Sequence, residues 1–218
     1  KMKDLNKILY DILLKIENDK NSDFNISKEL VFKYFKDVKG DNNQKYLYDS
    51  RKYLDSVIKS QNPDGSWYYS HESKLSRFID HIHTCFILKN LIKSNKIIKS
   101  DKINESIDMG MSYYFSNLFD SFSIPKPFSL EHRMQTSARE LYDFAEALNL
   151  LTLQGLDKNL VKIIKIVDYL KEHMVTEKGF FLTRKNRFLI NNAVPYHRWA
   201  QSQTFCSLTE IINKICAE

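Results

Sequence analysis

Three stretches that are apolar on nearly every side of a helix recur along the chain at a spacing of 60 residues. They cover residues 81–94, 137–154 and 196–215. The 60-residue shift aligns Leu88 with Leu148 and Leu208, and Leu91 with Leu151 and Ile211. A helix that is apolar all round has to be covered on all sides. The period therefore indicates a repeated helical hairpin whose second helix is buried.

Helices with a single apolar face lie between the buried ones, over residues 44–60, 102–119 and 157–173. This alternation favours a ring of hairpins over a four-helix bundle, in which every helix would be one-faced. We therefore expect an all-α chain that forms one domain over residues 1–218, with an additional amphipathic helix at 4–18. Extended pieces are expected only near 66–72 and 179–189.

Composition and charge narrow the class of protein. The net charge is +6 over 218 residues, but the lysines are spread singly among acidic and polar residues rather than clustered, which disfavours a nucleic-acid footprint. No apolar run reaches the length that a membrane span needs. The three cysteines show no C-x-x-C spacing, which argues against a disulfide framework and a cysteine zinc site. We expect a soluble, cytoplasmic protein.

Three motifs carry a family resemblance. The stretch 61–67, Gln-Asn-Pro-Asp-Gly-Ser-Trp, resembles the Q-x-x-D-G-S-W signature of α/α toroids such as terpenoid cyclases and glycan-active enzymes. The stretch 78–84 with the apolar helix after it, and the stretch 184–187 followed by 195–201, look like toroid proteins of bacterial surface-polysaccharide biosynthesis clusters. The resemblance covers residues 44–215 and implies an α/α toroid. This sequence contains about four helical hairpins, whereas a complete toroid usually has about six, so we expect a partial ring. The other hairpins are naturally absent, have been removed, or are replaced by self-association or by a partner.

The first group of candidate ligand-binding residues lies around the first buried helix. Trp67 either packs between hairpins or stacks on a sugar. His81 and His83 are two residues apart and so face different sides of a helix, and we expect one to line a cavity and the other to pack. Asp80 either caps the helix or fixes a histidine tautomer. The histidine spacing does not favour a metal site.

The second group belongs to the second buried helix. Glu140 and Asp143 are three apart, so on a helix they share a face and form a candidate acid/base pair. The alternative is an ion pair of Arg139 with an acid on the same helix face. Arg133 lies shortly before this helix and is a candidate for binding the substrate through its positive charge.

The third group opens the last buried helix. It combines polar and aromatic side chains, and Arg184 shortly precedes it. Its members are Tyr196, His197, Arg198, Trp199 and Gln201. Packing explains Trp199 but not Arg198, because a buried guanidinium without a partner is costly.

In a ring of hairpins the buried helices run parallel, so the three polar groups are expected to meet on one rim. Helix N-termini together with Arg133, Arg184 and Arg198 favour an anionic sugar. We expect a carbohydrate-active or carbohydrate-binding protein of surface-polysaccharide biosynthesis, acting as a uronate epimerase, lyase or hydrolase without a cofactor. Arg198 would neutralise the sugar carboxylate, and His83, His197 or Tyr196 would move the proton. The alternatives are an isoprenoid cyclase, whose D-D-x-x-D and D-x-D-D motifs this sequence lacks, and a scaffold.

Overall fold

A computed structural model describes residues 43–130, 137–188 and 190–216. The chain divides into two compact units, Lys1–Ser56 and Val57–Glu218. The description of the first unit begins at residue 43, so the helix predicted at 4–18 lies outside the described residues. The prediction of one domain over residues 1–218 concerns both units and stays a prediction.

The described part of the chain is mostly helical. Its α-helices are α1 (Asn43–Lys59), α2 (His81–Ile98), α3 (Asp101–Asn117), α4 (Leu141–Gln154), α5 (Leu156–His173) and α6 (Ser202–Cys216). A 3₁₀ turn covers Lys74–Ser76, and a π-helical turn at His197–Gln201 leads directly into α6. None of the helices described here is long and apolar enough to cross a membrane.

Helix α4 lies at the centre of the second unit. It contacts α2 on one side and α6 on another, and α5 packs against it, while α3 packs against α2. Its apolar side chains from Leu141 to Leu151 are almost all buried. The contacts of α4 with both α2 and α6, with α3 and α5 on their outer sides, agree with the predicted order of inner and outer helices. The prediction that the last of these helices is buried on all sides is wrong, because α6 buries one face and leaves Phe205, Ile212 and Ile215 exposed.

Two small antiparallel sheets correct the all-α prediction. Strand β1 (Ile79–Asp80) pairs with β2 (Phe128–Leu130), and β3 (Ser137–Glu140) pairs with β4 (Arg184–Asn186). Only β4 falls in a predicted extended piece, and no strand forms at 66–72. Residues 137–140 were expected to be helical, but their backbone pairs with β4, so α4 begins at Leu141. Each sheet therefore fixes the entrance to a buried helix.

The turn before Trp67 is part of the scaffold. Asp64 Oδ1 accepts hydrogen bonds from Ser66 N at 3.0 Å and Ser66 Oγ at 2.7 Å. Gly65 has a φ of +92°, and a Cβ at this position would lie 2.3 Å from the carbonyl oxygen of Met109, so only glycine fits. Trp67 is buried and its Nε1 donates to Val57 O at 3.0 Å. The motif thus holds neighbouring segments together, which is the packing alternative of the sequence analysis.

Candidate functional site

One cleft of about 800 Å³ opens where α2, α4 and the π-helical turn begin. It collects polar and aromatic side chains from all three groups identified in the sequence. The predicted residues that line it are Asp80, His83, Glu140, Asp143, Arg184, Tyr196 and Trp199. The entrances of the buried helices therefore do meet around one depression, and the roles of these residues stay predictions.

Asp80 and His83 form a carboxylate–imidazole pair at the start of α2. Asp80 has an extended backbone and caps the helix, because its Oδ1 accepts the His83 backbone N–H at 2.7 Å. Its Oδ2 lies 2.7 Å from His83 Nδ1. This hydrogen bond raises the pKa of His83 above 6.5 and favours the tautomer with its proton on Nδ1. The geometry leaves Nε2 of the half-exposed ring for a ligand in the cleft.

Asp143, in the first turn of α4, is the most unusual acid in the cleft. Its side chain is buried, and its Oδ2 has no hydrogen-bond partner among the described residues. Burial raises its pKa well above the usual range, and the nearby charges of Glu140 and Asp80 raise it further. These causes favour a protonated carboxyl that can donate a proton to a ligand.

The sequence spacing predicted that Glu140 and Asp143 lie on one face of a helix. This is wrong, because Glu140 precedes α4. It ends β3, where its Oε1 forms an ion pair with Arg184 Nε at 2.7 Å across the strand pair. The expected ion pair of Arg139 within the same helix is also corrected. Arg139 belongs to β3, and its guanidinium binds Asp120. Glu140 and Asp143 nevertheless both line the cleft.

An aromatic wall completes the cleft. Tyr142 contacts the rings of Phe86 and Trp199, with centroids 6.4 Å and 6.0 Å apart. Phe86 in turn lies 5.9 Å from the His83 ring, edge to face. Phe128, the first residue of β2, also lines the cleft. Aromatic faces beside hydrogen-bonding groups suit ligands with both apolar and polar surfaces.

His81 does not reach the cleft. It is fully buried, and both ring nitrogens are bonded: Nδ1 lies 3.1 Å from Lys126 O, and Nε2 lies 2.9 Å from the Tyr114 hydroxyl. Burial lowers its pKa from 6.5 to about 4. His81 is therefore the packing histidine of the pair, and His83 is the cavity histidine. The prediction that His81 binds the ligand is corrected accordingly.

Other predicted site residues lie elsewhere. Trp67 is buried in the scaffold, and the Gln201 side chain binds the backbone of Phe181 through both its oxygen and its nitrogen, at 3.1 Å and 2.7 Å. His197 is exposed at the start of the π-helical turn and does not line the cleft. Arg133 and the side chain of Arg198 lie outside the described residues.

Sequence reasoning missed several lining residues, including Phe86, Phe128, Tyr142 and Asn192. Of these residues, Tyr142 could have been found from the sequence, because it is adjacent to Asp143 and carries a polar hydroxyl in an otherwise apolar helix. Among the described residues, no three His, Cys, Asp or Glu side chains are arranged so that they could hold a metal ion.

The fold is similar to that of a solved structure, the crystal structure of D-mannose isomerase. The TM-score is 0.55 at 14% sequence identity, and the match covers 76% of this chain and 48% of that one. The matched region thus spans about half the length of the isomerase structure. No protein-family model matches the sequence, and no curated protein matches it. At this identity the similarity is one of fold.

Proposed function

We propose that the cleft binds a sugar and that the protein is a sugar-modifying enzyme working by proton transfer. One observation carries the proposal: an imidazole oriented by a carboxylate and a buried, unpartnered carboxyl line the same cleft. Their pKa values are both raised, by different causes. Groups with shifted pKa values in a cleft are candidate acids and bases.

The two groups have complementary roles. His83, held by Asp80, would accept at Nε2 the proton of a carbon next to the sugar carbonyl. Asp143 would give its own proton to the carbonyl oxygen, so that an enediol forms and no free charge develops on that oxygen. Transfer of the proton from His83 to the former carbonyl carbon, while Asp143 takes the proton of the hydroxyl on the neighbouring carbon, gives an isomer. Return of the proton to the opposite face of its original carbon, while Asp143 takes back the proton of the carbonyl oxygen, gives an epimer.

The fold similarity to D-mannose isomerase supports a sugar as the ligand, and an α/α toroid is the architecture we propose. The aromatic rings of Phe86 and Tyr142 in the lining support it independently, because the apolar face of a pyranose can stack on aromatic rings. A role in surface-polysaccharide biosynthesis follows from the motif resemblance alone, and so does completion of the ring by a second copy or a partner.

The charge of the sugar is the narrower part of the proposal. The described lining contains three carboxyls, Asp80, Glu140 and Asp143, against the single guanidinium of Arg184, which is paired with Glu140. This balance favours a neutral hexose. An acidic sugar is the second candidate, favoured by the presence of Arg184 in the cleft and by the positions of Arg133 and Arg198 in the sequence.

The test is deuterium incorporation from D₂O into neutral hexoses, including D-mannose, and into hexuronates, followed by proton NMR. We expect exchange at the carbon next to the carbonyl with the unaltered protein, and its loss in His83→Gln and in Asp143→Asn. His71→Gln and Asp108→Asn are matched controls, because both side chains are exposed and outside the cleft.

Two results would contradict the proposal. Sugar binding without any exchange would refute the enzymatic role and favour a non-catalytic glycan-binding scaffold. Equal activity of His83→Gln and His71→Gln would refute the assignment of the base. Exchange in hexuronates alone would reverse the preference for a neutral sugar.

A further inference from the structure

An exposed tryptophan stands at the mouth of the cleft. The Trp199 side chain lines the cleft yet is 66% exposed, whereas Asp143 is only 2% exposed. Tyr196, also in the lining, is 47% exposed. The cleft therefore has an enclosed end at Asp143 and an open end with two large aromatic side chains.

The position of Trp199 is fixed by its surroundings. It belongs to the π-helical turn His197–Gln201, whose Ala200 is buried and whose Gln201 is bound twice to the backbone of Phe181. The Trp199 backbone N–H donates to Tyr196 O at 3.2 Å. Single π-helical turns are frequent at functional sites. The exposed ring is thus presented by a fixed segment, and rigid aromatic surfaces bind at low entropic cost.

A continuous series of ring contacts joins the two ends of the cleft. Trp199 contacts Tyr142, Tyr142 contacts Phe86, and Phe86 contacts His83, with successive centroids 6.0, 6.4 and 5.9 Å apart. A ligand that extends from Trp199 to His83 can lie along this series of rings.

We propose that the substrate is a reducing saccharide of two or more sugar units, with its reducing-end sugar, which carries the carbonyl when its ring opens, between His83 and Asp143 and its next sugar ring stacked on Trp199. This inference rests on the proposed sugar-binding function and narrows it to a disaccharide or the end of an oligosaccharide. Stacking on Trp199 contributes affinity for the second ring only. It therefore raises the affinity for disaccharides over monosaccharides and does not affect proton transfer.

The experiment compares calorimetric affinities of the full chain for D-mannose and mannobiose, and for D-glucose and cellobiose. In the unaltered protein we expect the disaccharide of at least one pair to bind more tightly than its monosaccharide. Trp199→Ala should weaken disaccharide binding about five- to tenfold and leave the monosaccharide unchanged, while Trp199→Phe should retain most of the affinity. Phe205→Ala is the matched control, because Phe205 is 70% exposed and does not line the cleft.

Equal weakening of mono- and disaccharides by Trp199→Ala would overturn the inference, and so would no weakening of either. These results differ from failure of the proposed function, in which no sugar binds and no deuterium exchange depends on His83.

Discussion

Lowering the pH should weaken the folded state through His81. The folded protein lowers the pKa of this buried histidine from 6.5 to about 4, because a charged imidazole would lose its hydration and would lie among the buried rings of Tyr114 and Phe119. The unfolded chain takes up a proton near pH 6.5, and the folded chain does so only near pH 4. Stability is therefore lost progressively as the pH falls through this interval.

The magnitude follows from the pKa difference. A change from 6.5 to about 4 is a factor of roughly 300 in proton affinity, or about 3 kcal/mol of unfolding free energy. Asp143 acts in the opposite direction, because a carboxyl with a raised pKa binds its proton more readily in the folded state. A pH curve of one protein alone therefore mixes the two effects, and a non-titrating variant is needed.

The assay is urea unfolding of the unaltered protein and of His81→Gln at about pH 7 and about pH 4. The variant should be less stable at about pH 7, since the hydrogen bonds to Lys126 O and the Tyr114 hydroxyl are disturbed. Its stability should fall by about 3 kcal/mol less than that of the unaltered protein on acidification. Parallel curves would refute the reasoning, because they would mean that His81 titrates equally in both states.

Two further predictions concern the scaffold and the cleft. Gly110→Ala should lower the free energy of unfolding, measured by urea denaturation, by about 1–3 kcal/mol, because the new Cβ would lie 2.7 Å from the Trp67 ring. Helix propensity alone would make the variant more stable, and that result would contradict the prediction. Asp80→Asn should keep the helix cap but lose proton transfer, since the amide nitrogen would favour a proton on Nε2 of His83 instead of Nδ1; an unchanged pH–rate profile would contradict it.

The helical part of the fold was accessible to sequence reasoning. The leucines at 88, 148 and 208 mark α2, α4 and α6, and α4 contacts both of the other helices. Burial on all sides was predicted correctly for α4 but not for α6, whose Phe205, Ile212 and Ile215 are exposed. The periodicity signal depends on local sequence and predicts the positions of helices, whereas the burial of each face depends on distant partners.

The strands and the assignment of the two histidines were not accessible in the same way. Strands β1 and β3 are two and four residues long, which is too short for an alternation signal, and their partners lie more than 40 residues away. Spacing predicted that His81 and His83 differ in role, but the partners that decide which is buried, Tyr114 and Lys126, are also distant in sequence.

The most direct test of the central claim is a crystal structure of the protein soaked with mannobiose or with cellobiose. We predict that the reducing-end sugar lies within hydrogen-bond distance of Asp143 and of His83 Nε2, in the cleft at the entrances of α2 and α4. A sugar bound only at another surface, such as the depression of about 510 Å³ beside Arg139 and Tyr169, would contradict it.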